Sequence, residues 1–240
     1  MKLLARLFQS SVGKKLVMAA TGVVLVLFVC GHMVGNLQMF LGPEAINRYA
    51  HFLQSNHEVL WIVRLVMLTC VSLHIWAALQ VWSENRAARP VGYAGDPVPP
   101  AASYASRTMI MSGLIVATFI IYHLLHYTVC VPAVNFTGAD FTRLQETTEL
   151  GLERHDVYRM VVLGFRQPLV SFFYLLGVGL LCLHLSHGIQ AMSQSLGWTT
   201  HRCRPVVERA ATIVAVVLFV GYASIPVAVL LRLVGSTVTK

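Results

Sequence analysis

Residues 16–41 read L-V-M-A-A-T-G-V-V-L-V-L-F-V-C-G-H-M-V-G-N-L-Q-M-F-L. No Asp, Glu, Lys or Arg interrupts them, and Lys14 and Lys15 stand immediately before. A helix crosses the hydrocarbon core of a bilayer with about 20 apolar residues, so this run is long enough to span. It is too long for the apolar part of a secretory leader, and no small-residue cleavage motif closes it, so it reads as a retained membrane helix. Working outward, the first span is placed at 15–41. Four more stretches qualify, at 59–82, 107–131, 168–192 and 210–235. The fifth contains Pro226, which is expected to kink it. The predicted fold class is all-α: one integral membrane bundle of five transmembrane helices covering residues 1–240.

Composition points the same way. Hydrophobic residues make up 56% of the chain and charged residues 12%, and mean hydropathy is +0.67. A soluble domain carries roughly twice that share of charge, so much of this surface faces lipid. The net charge of +8 does not signal nucleic-acid binding, because no basic stripe with interleaved aromatics is present. Five cysteines, Cys30, Cys70, Cys130, Cys182 and Cys203, form no C-x-x-C pair and no C-x-x-C-H motif. That argues against a zinc ribbon, a thioredoxin-type motif and covalently attached haem, and leaves buried thiols.

The connections set the orientation. Residues 84–106 hold four prolines and two glycines without periodicity, which predicts an exposed loop. Residues 132–167 form the longest connection, and 193–209 a short basic one. With five spans the termini lie on opposite sides. The N-terminal side would carry Lys2, Arg6, Lys14, Lys15, Arg86, Arg89, Arg107, Arg202, Arg204 and Arg209 against only Glu84, Asp96 and Glu208. Basic residues gather on the cytoplasmic side, so the N-terminus is predicted to be cytoplasmic.

Ten histidines are many for so apolar a chain. An ionisable side chain within a membrane is costly and marks a functional site by default. His32, His74, His123, His126, His184 and His187 fall in predicted spans. His51, His57, His155 and His201 fall in connections, where a histidine is usually just solvated. Helical rise converts position into depth. His32 and His123 each lie about 25 Å from the cytoplasmic end of their helices, and His74 and His184 about 14 Å. Four helices thus bring one histidine each, in two depth-matched pairs about 11 Å apart in level. One imidazole from each of two helices is what a bis-histidine haem iron needs. Four such residues favour metal ligation over a hydrogen-bonded network between helices. Gly35 follows His32 at i+3, Ala77 and Ala78 follow His74 at i+3 and i+4, and Gly188 follows His184 at i+4. Each shares a face with its histidine, where a flat macrocycle would fit, although small residues also serve plain helix packing. His126 and His187 sit one turn beyond His123 and His184 and could bond a haem propionate, a quinone or a neighbouring helix.

In order, G-H-M-V-G-N at 31–36, L-H-I-W at 73–76, Y-H-L-L-H at 122–126 and L-H-L-S-H-G at 183–188 resemble the cytochrome b subunit of succinate:quinone oxidoreductases. The likeness is to the five-helix, single-subunit type of bacterial succinate dehydrogenases and fumarate reductases. It extends to S-S-V-G-K-K at 10–15 and S-R-T-M at 106–109. The resemblance implies two non-covalent haems b, the proximal one on His74 and His184 and the distal one on His32 and His123. The family places its third-helix ligand first in Y-H-x-x-H, which selects His123 over His126. It further implies partnership with a flavoprotein and an iron–sulfur subunit that hold the succinate/fumarate chemistry, a site for menaquinone or another quinone near the distal haem, and a bacterial cytoplasmic membrane. Quinone reduction needs protons, and Glu44, His51, His57 and Glu58, at the outer ends of the first two helices, are candidates to carry them. Two rival functions are a dihaem anchor for another enzyme, such as a hydrogenase or formate dehydrogenase, and a haem-free transporter with a histidine proton relay. Transporters usually show internal repeats or helices broken at mid-membrane, and only Pro226 hints at a break here.

Overall fold

A computed structural model describes residues 7–88, 108–236 and 238. Residues 89–106 of the expected exposed loop, Ser106 and Arg107 of the S-R-T-M stretch, and Lys2, Arg6, Arg89, Asp96 and Arg107 of the charge comparison lie outside the described residues. Among the described residues, five helices are long and apolar enough to cross a membrane, as the sequence predicts. In chain order the helices are α1 (Ser11–Leu37), α2 (Pro43–Ser55), α3 (His57–Ala87), α4 (Met109–Tyr127), the short α5 (Pro132–Asn135), α6 (Val157–Phe165), α7 (Pro168–Ser195) and α8 (Arg204–Leu230). The spans are α1, α3, α4, α7 and α8. A two-stranded hairpin, β1 (Gln145–Thr147) and β2 (Glu153–His155), lies between α5 and α6.

The ends of the spans shift from expectation for local reasons. A 3-10 turn at Gln38–Leu41 extends α1. α4 stops at Tyr127 rather than 131, because the Thr128 and Val129 amides both fold back to the Leu124 carbonyl and Cys130 turns left-handed at φ 58°. α8 stops at Leu230 rather than 235, with Arg232 left-handed. Its helical backbone carries on past Pro226 to its end.

Each span turns large apolar side chains outward, among them Leu27, Leu65, Leu114, Leu169 and Ile213. This is the surface a hydrocarbon solvent requires. Alanines at 19, 77, 211, 215 and 228 are buried where helices meet, since small residues let backbones approach.

The chain divides into two compact units. One comprises Met1–Val29, Val63–Gly113 and Leu183–Ala215, and the other Cys30–Ile62, Leu114–Cys182 and Val216–Lys240. In the first, buried Lys14 pairs with Glu84, and Glu84 also accepts from Ser11 Oγ at 2.8 Å. This fastens the start of α1 to the end of α3, so the two run antiparallel. A lysine buried without a partner would be strongly unfavourable, so the pair also fixes the register of the two helices.

The second unit holds structure that sequence reading left as connection. Residues 43–55 form α2, and 132–167 fold into α5, the hairpin and α6. Two observations explain the ordering. Asn47 of α2 is fully buried; it donates to Asp156 at 3.0 Å and accepts from the Tyr158 amide at 2.8 Å. Asp156 in turn caps α6 by accepting from the Arg159 amide at 2.9 Å. Arg154 on β2 is buried, with its guanidinium between Glu44 of α2 and Glu146 of β1. Phe141, Met160, Leu163 and Cys130 form the apolar core beneath. His51 and His57 accordingly belong to helices, not to a loop. Gly42 precedes α2 at φ 99°, a backbone state closed to most side chains, and Pro43 then opens the helix at the position proline favours.

The Arg154 hydrogen bond holds the Glu44 carboxyl below its ordinary value, so this contribution to stability is complete above pH 4.5 and is lost as pH falls through the lowered value. Replacing Asn47 by alanine strips a buried donor and acceptor of their partner. It should destabilise this cap by about 2–3 kcal/mol, read as a lower melting temperature in detergent and as faster proteolysis within 132–167.

Candidate functional site

The histidines of the predicted pairs meet, and each pair lies within one unit. In the first unit His74 of α3 faces His184 of α7, ring centroids 6.5 Å apart and planes at 65°. In the second His32 of α1 faces His123 of α4, centroids 5.8 Å apart and planes at 81°. An imidazole nitrogen sits about 2 Å from a metal it binds, so two rings on opposite sides of one iron have centroids roughly 6 Å apart. Both pairs have this spacing. Among the described residues, no three or more His, Cys, Asp or Glu side chains gather into a metal-binding group. Two protein ligands per site suit a metal whose remaining ligands come with a macrocycle.

A ligating imidazole must keep its proton on one nitrogen and a bare lone pair on the other. Around His74 and His184 the hydrogen bonds enforce this. His74 Nδ1 lies 3.1 Å from the Met18 carbonyl oxygen and 3.3 Å from Thr21 Oγ1. A carbonyl only accepts, so Nδ1 carries the proton. Thr21 Oγ1 already donates to the Val17 carbonyl at 2.8 Å. His184 Nδ1 lies 3.2 Å from Ser112 Oγ, and that hydroxyl donates to the Met109 carbonyl at 3.1 Å. It is therefore the acceptor of His184 Nδ1–H. In both residues Nε2 is left with a free lone pair, the form that binds iron.

Each of these histidines is backed by a glycine next to the hydroxyl residue. A Cβ on Gly22 would lie 3.6 Å from His74 Cε1, and one on Gly113 only 3.2 Å from His184 Cε1. Thr21–Gly22 on α1 and Ser112–Gly113 on α4 thus form equivalent supports: the hydroxyl holds Nδ1 and the glycine makes room for the ring. Sequence reading looked for small residues beside the histidines on their own helices and missed those on the facing helices. The visible signal was a hydroxyl–glycine pair inside two apolar runs.

The other small residues fall differently. A Cβ on Gly35 would meet the Tyr49 ring at 2.8 Å, so Gly35 gives room to α2. Gly188 borders open space, with nothing within 4 Å of where its Cβ would be. Ala78 is half-buried and its neighbour Ala77 is fully buried.

The second unit adds an aromatic cluster that sequence reading did not find. Tyr174 of α7 is buried, and its hydroxyl lies 3.3 Å from His123 Nδ1 and 3.1 Å from His126 Nδ1. Rings of Phe119, Phe165 and Tyr127 surround it, with centroids at 5.3, 4.9 and 5.7 Å. His126 is fully buried and stacks on Tyr127 at 3.9 Å. His32 also approaches Tyr222 of α8, at 6.2 Å. His187 is half-buried, whereas His51, His57 and Glu58 are exposed in the same unit as His32 and His123.

A family model described as succinate dehydrogenase/fumarate reductase transmembrane subunit matches residues 83–223, more than half of the chain. The chain belongs to this family. No match was found among curated proteins or among solved structures. The matched region holds α4, α7 and most of α8, with His123, His126, His184 and His187; His32 and His74 precede it. As a succinate dehydrogenase/fumarate reductase transmembrane subunit, the chain is a multi-pass membrane protein and part of an oxidoreductase complex with further subunits. That places it with these enzymes rather than with hydrogenase or formate dehydrogenase anchors.

Gly177, one turn after Tyr174, tests the aromatic packing. A Cβ there would overlap the Phe119 ring, and Phe119 packs on both Tyr174 and His123. Gly177→Ala should therefore cost about 1–3 kcal/mol of overpacking, seen as a drop in melting temperature, whereas Gly188→Ala should leave it unchanged.

Proposed function

We propose that this chain is the dihaem cytochrome b anchor of a succinate:quinone oxidoreductase. It would join a flavoprotein and an iron–sulfur subunit to the membrane and to menaquinone or another quinone. The observation that carries the reading is the pairing of four histidines from four helices at centroid separations of 6.5 and 5.8 Å, with His74 and His184 each held in the tautomer that leaves Nε2 bare. His74 and His184 would hold the proximal haem b, and His32 and His123 the distal one. When bound, the haems supply one-electron carriers between the iron–sulfur subunit and quinone.

The chain's own residues do the rest. Met18, Thr21 and Ser112 orient two of the ligands and raise their basicity through Nδ1. Gly22 and Gly113 leave room for the rings. The apolar faces of the five spans exclude water from both sites. Glu58, with His51 and His57, is exposed in the unit that holds His32 and His123, which supports a role in delivering protons to bound quinone. The basic residues at 14, 15, 86, 202, 204 and 209 support a cytoplasmic N-terminus in a bacterial inner membrane.

The test is a reduced-minus-oxidised optical spectrum of the purified complex with pyridine haemochrome quantitation. Two haems b per chain are expected, falling to one on replacing His74 or His32 by alanine. A complex that yields no haem b in the pyridine haemochrome assay would overturn the reading and favour a histidine proton relay. Separately, Glu58→Gln should lower quinone turnover on the order of 10²-fold, the low end for an acid–base group, with haem content unchanged. Unchanged turnover would remove Glu58 from the proton route.

A further inference from the structure

Tyr174 offers one hydroxyl to two histidines. Its oxygen lies 3.3 Å from His123 Nδ1 and 3.1 Å from His126 Nδ1. A phenolic hydroxyl has one proton to give and lone pairs to accept with. It can donate to one of these nitrogens only, and must accept from the other. The two directions have opposite consequences. If Tyr174 donates to His123, then His123 carries its proton on Nε2 and cannot bind a metal there. If Tyr174 accepts from His123 Nδ1–H, the lone pair of His123 Nε2 is free, and the hydroxyl proton must go to His126 Nδ1.

We propose that Tyr174 and His126 are positioning residues for His123: they form a directional chain, His123 Nδ1–H to Tyr174 Oη–H to His126 Nδ1, that fixes the ligand tautomer and tunes the iron it holds. This rests on His123 being a haem ligand, as proposed above. His74 takes its tautomer from a backbone carbonyl and His184 from a serine whose proton is already engaged. His123 has neither, so the outward acceptor must be His126. His126 suits the role. It is fully buried, so water does not compete for its Nδ1, and its Nε2 has no hydrogen-bond partner. With Nδ1 accepting from Tyr174, that buried Nε2 carries the single N–H proton of the neutral ring. The aromatic rings around Tyr174 hold its phenol in one orientation, so the hydroxyl stays aimed at both nitrogens. Bonds in such a chain polarise one another.

An imidazole that donates through Nδ1 is a more basic ligand. It stabilises ferric over ferrous iron and lowers the midpoint potential. The experiment is a spectroelectrochemical redox titration of the purified complex with haem quantitation, comparing wild type, Tyr174→Phe, His126→Leu and His126→Asn. The wave lost on replacing His32 identifies the site in question. Tyr174→Phe should keep two haems and move that wave to higher potential, leaving the His74/His184 wave in place. His126→Leu should move it the same way by less, because Tyr174 loses its fixed acceptor. His126→Asn, whose side-chain oxygen falls near the old Nδ1, should return it toward wild type. Two haems with an unmoved wave in Tyr174→Phe, or equal movement of both waves, would overturn the proposal. If Tyr174→Phe loses the haem, the Leu and Asn variants at 126 decide it: equal potentials in the two reject the chain. A wild-type complex without haem, or one that keeps both haems when His123 is replaced, would instead reject the ligand assignment itself.

Discussion

A hydrocarbon solvent offers a polar group nothing to bond, so every polar atom carried into the membrane must find its partner within the protein. That constraint organises this chain. The Thr21 and Ser112 hydroxyls bond carbonyls of their own helices and still have a lone pair for a histidine on another helix. Lys14 is buried only because Glu84 meets it. Each such pairing decides which helices touch and in what register, and the two hydroxyl pairings leave a histidine with a defined free nitrogen. The requirement that keeps the helices soluble in lipid is also the one that orients these histidines.

The two histidine pairs are prepared by different means. For His74 and His184 the partners are short: a backbone carbonyl and two hydroxyl residues, each hydroxyl followed by a glycine. For His123 the partner is a tyrosine inside a cluster of aromatic rings, with the fully buried His126 behind it. A carbonyl fixes a tautomer outright, because it has no proton to give. A phenol passes the decision on to whatever accepts from it. In the proposed dihaem reading this gives the two sites distinct means of setting ligand basicity, although their ring separations are alike.

The second unit also carries polar architecture around α2, the hairpin and α6. Asn47, Asp156 and Arg154 link α2 to the hairpin and the start of α6, segments 109 to 111 residues away in sequence. This folded cap ties 43–55 to 132–167, so the exposed Glu58, His51 and His57 sit beside ordered structure rather than on a free loop. Buried hydrogen bonds and ion pairs hold it together with apolar burial: Ile46 of α2 and Met160, Val162 and Leu163 of α6 are buried, while α2 turns Phe52 and Leu53 outward.

The sequence by itself determined the five spans, the all-α class and the four histidines at two depths. Run length and helical rise are local quantities, and a bilayer leaves few alternatives for an apolar run of this length. It also carried the family likeness, because the motifs lie in order along the chain. Only the tertiary structure decided which atoms serve each histidine. Thr21–Gly22 and Ser112–Gly113 look like ordinary helix-packing residues until a facing helix brings an imidazole to them. Tyr174, fifty-one positions from His123, has no local pattern that marks it. The ordering of 43–55 and 132–167 was hidden for the same reason. Their amide, carboxylate and guanidinium groups read as loop polarity in sequence, and become buried partners only when the chain folds them against one another.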